Sequence, residues 1–231
     1  MIFWLKEKKY KNSKPKVDFT SVYKTTIQGF KSLIKEDKNV TIFLIGFMFI
    51  SDALLTANLY FAIFLDQMFK MSDLQKYIAL GLMEIVAIIF SFIIGKLSDQ
   101  WGTKKLLILS CINLTAVYFL ISITSSLPIM YILSAFVGAG YGGFYVTSRS
   151  LLIKISPANK LGEYFGFYST FQKFASIIGP LTWGVITLLL KDYGVIKYRA
   201  AIFALSLLML IGLLITTRVK ERREVSRQLE F

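Results

Sequence analysis

Three ionisable side chains, Asp52, Glu84 and Lys173, lie well inside long apolar stretches of the sequence. Asp52 stands twelve residues beyond Val40, Glu84 nine beyond Gln75 and Lys173 ten beyond Glu163. At ~1.5 Å per helical residue this is roughly 14–18 Å, near the middle of a ~30 Å hydrocarbon layer. An ionised group there costs at least ~2.5 kcal/mol unless it is paired or hydrated. Three at one depth, with both signs of charge, predict a polar cavity that holds an ion pair or binds a solute.

A purely structural role is the alternative for each of these residues. Asp52 and Lys173 could form an ion pair that only joins two helices, although we favour a place on a solute or ion pathway. For Glu84 the two interpretations are equal, because a protonated carboxyl group can also be hydrogen-bonded within a helix contact. Two tyrosines of another apolar stretch, Tyr141 and Tyr145, are predicted to add hydroxyl groups to the same pathway.

The stretches themselves are long enough to cross a bilayer. The chain has 231 residues, is 55% hydrophobic and has a mean hydropathy of +0.59, which is too apolar for an ordinary soluble domain. Apolar runs of ~20 residues match the thickness of the hydrocarbon core. We therefore predict an all-α, polytopic membrane protein whose six transmembrane helices are Val40–Leu65, Gln75–Ile94, Leu106–Thr124, Pro128–Thr147, Gly166–Leu190 and Ala200–Thr217.

Membrane topology explains most of the net charge of +13, so no nucleic-acid partner is expected. With six spans both termini lie on one side of the membrane, and twenty-one of the 27 lysines and arginines fall on that side. Five fall on the other side, and Lys173 is inside a span. Because cytoplasmic segments carry the excess of basic residues, both termini are predicted to be cytoplasmic.

The residue types present exclude several kinds of chemistry. The sequence has no histidine and one cysteine, Cys111, inside the third span, which excludes an intramolecular disulfide and a histidine-based metal site. The glycines between Gly138 and Gly143 lie within a span and lack the strand and lysine of a phosphate-binding loop. We expect no catalytic residue, metal or cofactor, and the chain is not predicted to be an enzyme.

Three regions are predicted along the chain: a basic cytoplasmic segment (1–38), the six-helix transmembrane domain (39–217) and a basic cytoplasmic tail (218–231). Residues 18–35 place apolar side chains on one helical face and lysines opposite, which predicts an amphipathic helix on the membrane surface. That helix is either a gating or linking helix or a passive surface anchor, and we favour a linker. In the fifth span, Gly179 and Pro180 interrupt the helical hydrogen bonds and are a predicted hinge, although static packing explains a kink equally well.

The connector between the second and third spans, Gly95–Lys105, combines glycines that permit a tight turn with an acid that can cap a helix. Its spacing and its position resemble the cytoplasmic loop motif of the major facilitator superfamily. It departs from that motif at Gln100 and Thr103, where basic residues are usual. The resemblance implies a cytoplasmic gate formed by Gly95, Asp99, Gly102, Lys104 and Lys105.

The segment from Ser148 to Leu181 resembles the vacuole-effluxer family of that superfamily, and Ser51-Asp52-Ala53 occupies the place of an acidic motif in that family's seventh helix. The family includes autophagy-linked vacuolar amino-acid exporters and prokaryotic relatives. The resemblance covers only a C-terminal half, so it implies a half bundle with a 3+3 inverted repeat. It also implies a second six-helix half as partner, from a separate chain or a second copy, unless the chain is a gene remnant.

The resemblance further implies transport of a small solute across the lipid bilayer by alternating access, with amino acids as the candidate class. The expected location is the cell membrane, or the vacuolar membrane if the source is eukaryotic. The alternative is a non-transporting membrane interaction protein or an inactive transporter fragment, in which the charged residues only fix helix packing.

Overall fold

The computed structural model describes Leu33 and residues 37–221. The chain divides into two compact units, residues 1–36 and 37–231. Apart from Leu33, the predicted amphipathic helix over residues 18–35 lies outside the described residues, as does the predicted tail beyond Glu221.

The second unit is built from α-helices joined by short connections, with no β-strand between residues 37 and 221. The helices are α1 (Lys38–Phe69), α2 (Asp73–Trp101), α3 (Thr103–Ile123), α4 (Leu127–Ile155), α5 (Leu161–Phe174), α6 (Ile178–Leu189) and α7 (Ile196–Thr217). Two single-turn 3-10 helices precede α5 and α7. Five helices in the described part of the chain are long and apolar enough to cross a membrane, namely α1, α2, α3, α4 and α7.

Five of the six predicted spans correspond to single helices, whereas the fifth is built from two shorter ones. The chain leaves helical geometry after Phe174 and re-enters it at Ile178. Pro180 has no N–H for the carbonyl group of Ser176, and its ring would collide with that carbonyl in a continuous helix. The break therefore falls within the turn that precedes the proline.

The connector between α2 and α3 is shorter than the sequence suggests. Helix α2 continues to Trp101, so most of the predicted loop is helical and Gly102 alone separates the two helices. The φ of Gly102 is 92°, a value that L-residues with a side chain rarely adopt. The hydroxyl oxygens of Ser98 and Thr103 lie 2.8 Å apart across this junction.

The bundle is held together by a small number of helix pairs. Helix α1 packs mainly against α7, α2 against α4, and α3 against both α4 and α7. Gly142 allows close approach of α4 to α2, because a Cβ atom there would collide with the carbonyl oxygen of Ala87. Phe47 lies in the core, where its ring stacks on Tyr168 and Phe144 at centroid distances of 4.0 and 5.6 Å.

Polar contacts close the end of the bundle that holds residues 37 and 221, which we call the terminal end. The side-chain amide of Asn39 donates to the carbonyl oxygen of Lys220 and accepts from its N–H, both at 2.7 Å. Lys104 Nζ donates to the carbonyl oxygen of Thr217 at 2.9 Å, where α7 ends. The Asn39 contacts thereby join the start of α1 to the residues that follow α7.

A single arginine ties the connections at the other end, which we call the opposite end. The guanidinium group of Arg199 donates to the carbonyl oxygens of Ile123 and Thr124 at 2.8 and 3.0 Å, and to Ser125 Oγ at 2.6 Å. It also donates to the carbonyl oxygen of Ser122 at 3.3 Å. These acceptors include the unsatisfied carbonyl groups that every helix leaves at its C-terminus.

Candidate functional site

An open cavity of about 380 Å³ lies between α1, α2, α4 and α5, and we call it the central cavity. Its polar lining comes from three helices, while Leu55 of α1 and Ile88 of α2 supply part of its apolar wall. The side chains able to bind a polar solute there are Glu84, Tyr141, Tyr145, Arg149 and Gln172.

Helix α4 supplies three of these side chains from one face. Tyr141, Tyr145 and Arg149 follow one another at four-residue spacing, which places them in a row along a helix. The rings of Tyr141 and Tyr145 have centroids 4.9 Å apart. Because Gly142 allows α4 to pack closely against α2, Glu84 of α2 lines the same cavity.

The two charged members of the cavity carry opposite charges without pairing. Glu84 and Arg149 are both exposed, and neither forms an ion pair with any residue between 37 and 221. Arg149 also lies near the Tyr168 hydroxyl, and Glu84 lies near that of Tyr141. An acid and a base that share a cavity but remain apart can together bind a solute that carries both charges.

The Tyr145 hydroxyl is buried and forms no hydrogen bond within the described part of the chain. Gln172 and Tyr141 lie beside it without completing a bond of ordinary geometry. By contrast, the hydroxyl oxygens of Tyr168 and Ser148 lie 3.1 Å apart. A buried hydroxyl group without a hydrogen-bond partner lowers the stability of a fold. The Tyr145 hydroxyl can therefore still form a hydrogen bond at the wall of the central cavity.

Asp52 occupies a different place from the one the sequence suggests. It is fully buried in α1, and neither carboxylate oxygen has a hydrogen-bond partner in the described residues. The carboxylate faces the backbone N–H of Gly179 near the start of α6. Thr56, one turn further along α1, packs its hydroxyl group against the same glycine. Asp52 therefore lies at the helix break and does not line the central cavity.

Lys173 is exposed near the end of α5, and the structure contains no ion pair between it and Asp52. The structural pairing considered for these two residues is thus not formed in this conformation. The predicted pathway roles of Asp52 and Lys173 stay predictions, as does the hinge role of Gly179 and Pro180.

The predicted gate residues are divided among several environments. Gly102 forms the helix junction and Lys104 caps α7, as described above, whereas Asp99 and Lys105 are exposed and Gly95 lies within α2. Another lysine at this end, Lys154, was not among the predicted gate residues. Lys154 Nζ lies 2.6 Å from Thr103 Oγ1, to which it donates, and 3.8 Å from Glu221 Oε1. A gating function for this cluster stays a prediction.

Two residues of the central cavity, Arg149 and Gln172, were also missed. The predicted fourth span ends at Thr147 and leaves Arg149 outside it, but α4 continues to Ile155 and keeps Arg149 within the helix. The four-residue spacing from Tyr141 through Tyr145 to Arg149 was the available signal. Gln172 offered no comparable signal, since a single amide in a span is compatible with many packing contacts. Between residues 37 and 221 no group of three acidic or cysteine ligands could hold a metal ion.

The sequence profile described as Major Facilitator Superfamily matches residues 3–231 of the chain. Among curated proteins, the Uncharacterized MFS-type transporter YxiO of Bacillus subtilis is 34% identical over 153 residues, which are 65% of this chain and 35% of that protein. Autophagy-related protein 22 of Kluyveromyces lactis is 30% identical over 209 residues, 82% of this chain and 41% of that protein. The chain thus spans between a third and about two fifths of the length of these relatives.

A solved structure shares the fold. The inward-open conformation of the xylose transporter XylE from E. coli aligns with a TM-score of 0.59 at 16% identity. The alignment covers 79% of this chain and 48% of the xylose transporter. This likeness supports the predicted all-α half bundle.

Proposed function

Because the chain belongs to the Major Facilitator Superfamily, we propose that it forms one six-helix half of a secondary transporter that moves a small zwitterionic solute by alternating access. Amino acids are the first candidates. The observation that carries this proposal is the unpaired acid and base of the central cavity, Glu84 and Arg149. An ammonium group would bind to the first and a carboxylate to the second, with Tyr145 and Gln172 donating further hydrogen bonds.

A second six-helix half is the proposed partner of this unit. Helix α2 packs mainly against α4 and leaves a row of large apolar side chains exposed: Ile78, Ile85, Ile88, Ile89, Phe92 and Ile93. An apolar surface of this kind is covered either by lipid or by another protein surface. The central cavity opens beside this row, so a second half placed there would complete the walls of the cavity. The excess of basic residues at the terminal end supports a cytoplasmic position for that end.

The test is counterflow of radiolabelled solutes into proteoliposomes that contain the full chain. Alanine carries both charges, whereas lactate lacks the ammonium group and ethylamine lacks the carboxylate. We expect exchange of alanine and at least a tenfold lower rate for either single-charge analogue. Glu84→Gln should abolish the preference for alanine, whereas Glu163→Gln, an exposed acid in α5, should leave it unchanged.

Two results would contradict the proposal. Exchange no faster than in protein-free vesicles would argue against transport by this chain, alone or paired with a second copy of itself. Exchange of alanine that is unaffected by Glu84→Gln and by Arg149→Gln would argue against the central cavity as the solute site.

A further inference from the structure

A second cavity, of about 570 Å³, lies at the opposite end between α1, α6 and α7, and we call it the lateral cavity. Aromatic rings form one of its walls. The rings of Tyr60 and Trp183 stack with centroids 4.7 Å apart and planes only 4° from parallel, and Tyr198 continues the wall 6.3 Å from Trp183. The proposed solute site makes no use of these residues.

The mouth of the lateral cavity is positively charged. Lys191 and Lys197 both line it, and no acidic side chain does. Lys197 Nζ lies 5.2 Å from the centre of the Tyr198 ring, a cation–π contact that holds the ammonium group at the rim. Neither lysine forms an ion pair with a residue between 37 and 221. The cavity thus presents two uncompensated positive charges to an anion.

Exposed apolar side chains form part of the lateral cavity. Ile63 and Leu188 line it with 47% and 68% of their surfaces exposed, and the exposed side chains of Val185 and Leu181 continue the same surface along α6. Trp183 lies eight residues before Lys191, a depth of roughly 12 Å at ~1.5 Å per residue. A small soluble anion would occupy the mouth and leave this apolar wall uncovered. A ligand with a negative head and a hydrocarbon chain would cover both parts.

We propose that the lateral cavity binds one anionic phospholipid from the adjacent leaflet, with its phosphate at Lys191 and Lys197 and an acyl chain along Ile63, Trp183 and Leu188. Aromatic rings and lysines at interfacial depth are the groups that contact lipid headgroups in membrane proteins. The site is independent of the solute site in the central cavity, so transport activity is not needed to test it.

Quenching of Trp183 fluorescence by brominated lipid tests this site directly. The chain has three tryptophans, so Trp4→Phe with Trp101→Phe leaves Trp183 as the only one. The full-length protein is reconstituted in phosphatidylcholine nanodiscs with increasing amounts of phosphatidylglycerol brominated in its acyl chains. We expect saturable quenching, and much weaker quenching by brominated phosphatidylcholine at the same mole fraction.

Charge variants then locate the phosphate. The double variant Lys191→Gln/Lys197→Gln should bind brominated phosphatidylglycerol about thirty-fold more weakly, as expected for two interfacial lysines. Lys191→Arg/Lys197→Arg keeps both charges and should bind it almost normally, which separates loss of charge from misfolding. Lys70→Gln removes an exposed lysine at the same end but outside the lateral cavity, and it should have no effect.

Three outcomes would overturn the inference. Equal quenching by the two brominated lipids would show that the cavity is open to any lipid. Unchanged affinity in the glutamine double variant would exclude the two lysines as headgroup ligands. Displacement of the brominated lipid by glycerol 3-phosphate at the same concentration would identify a soluble anion as the true ligand.

Discussion

Glu84 of α2 and Arg149 of α4 line the same cavity, yet they form no ion pair with each other. Two opposite charges at a site partly shielded from water normally attract each other and pair where the side chains can reach. Here Glu84 lies near the hydroxyl group of Tyr141, whereas Arg149 lies near that of Tyr168. The separation leaves both groups available to a third charged partner.

Arg149 is expected to determine affinity for the carboxylate of the solute. Arg149→Gln should raise the half-saturation concentration of alanine by about tenfold, because a charged hydrogen-bond partner is lost. Arg149→Lys should recover only part of that loss, since a point charge does not replace a planar fork. The thermal unfolding temperature should not change in either variant. Arg218→Gln, another exposed arginine, is the control, and an equal effect of both changes on affinity would contradict this role.

Tyr145 is expected to act on the solute rather than on stability. Its buried hydroxyl has no partner, so Tyr145→Phe should leave the free energy of unfolding unchanged or raise it by up to about 1 kcal/mol, while solute exchange falls. Tyr168→Phe removes the hydroxyl that contacts Ser148 and should lower the free energy of unfolding by about 1 kcal/mol. Chemical unfolding in detergent measures both. The opposite order of stabilities would contradict the assignment.

The buried carboxyl group of Asp52 is expected to lower the free energy of unfolding relative to a neutral side chain. Asp52→Asn keeps the shape and should raise the free energy of unfolding by about 1 kcal/mol or more, because a neutral amide replaces a buried ionisable group that has no hydrogen-bond partner. Lys173→Met should have little effect, since Lys173 is exposed and forms no ion pair with Asp52. Destabilisation by each single change with recovery in the double variant would instead establish the structural pair.

Gly142 is expected to tolerate no side chain. Gly142→Ala places a Cβ atom against the carbonyl oxygen of Ala87 and should cost about 1–3 kcal/mol by forcing α4 away from α2. Gly184 of α6 has open space around the equivalent position, so Gly184→Ala should be neutral or slightly stabilising. The free energy of unfolding compares the two variants. Equal costs would show that backbone flexibility, and not helix contact, accounts for the effect.

Arg199 is expected to hold the opposite end of the bundle. Arg199→Gln should lower the free energy of unfolding by about 2 kcal/mol or more, because several carbonyl groups at the end of α3 lose a charged donor. Arg199→Lys should recover little, since one ammonium group cannot reach all these acceptors. Lys70→Gln at the same end is the matched control and should have no measurable effect on stability.

Hydropathy predicted most of the fold, because the apolar stretches needed to cross a bilayer are visible in a single sequence. It could not show where helices end. Helix α2 runs on through polar residues to Trp101, since backbone hydrogen bonds continue after the chain leaves the hydrocarbon layer. The break before Ile178 lies in an apolar stretch, and only the proline that follows it gave a signal.

The structure separates the predicted pathway residues. Glu84, Tyr141 and Tyr145 line one cavity, whereas Asp52 does not, because depth along a helix does not determine the face that a residue occupies. Their roles in transport stay predictions. Asp52 is buried by the contact between α1 and α6. That contact depends on how α6 is oriented after the break that follows α5, and no local sequence pattern predicts this orientation. Gln172 lines the cavity from α5, the short helix before that break. Its position could not be predicted without knowing where the break falls.

The contact between Asn39 and Lys220 has a consequence for biosynthesis. These two residues are separated by 181 positions, and the helices they flank are the first and the last of the unit. Helix α1 must therefore wait in the membrane, with the face that α7 will cover still unprotected, until nearly the whole unit has been translated and inserted. A translation product that ended before α7 would leave that face of α1 uncovered.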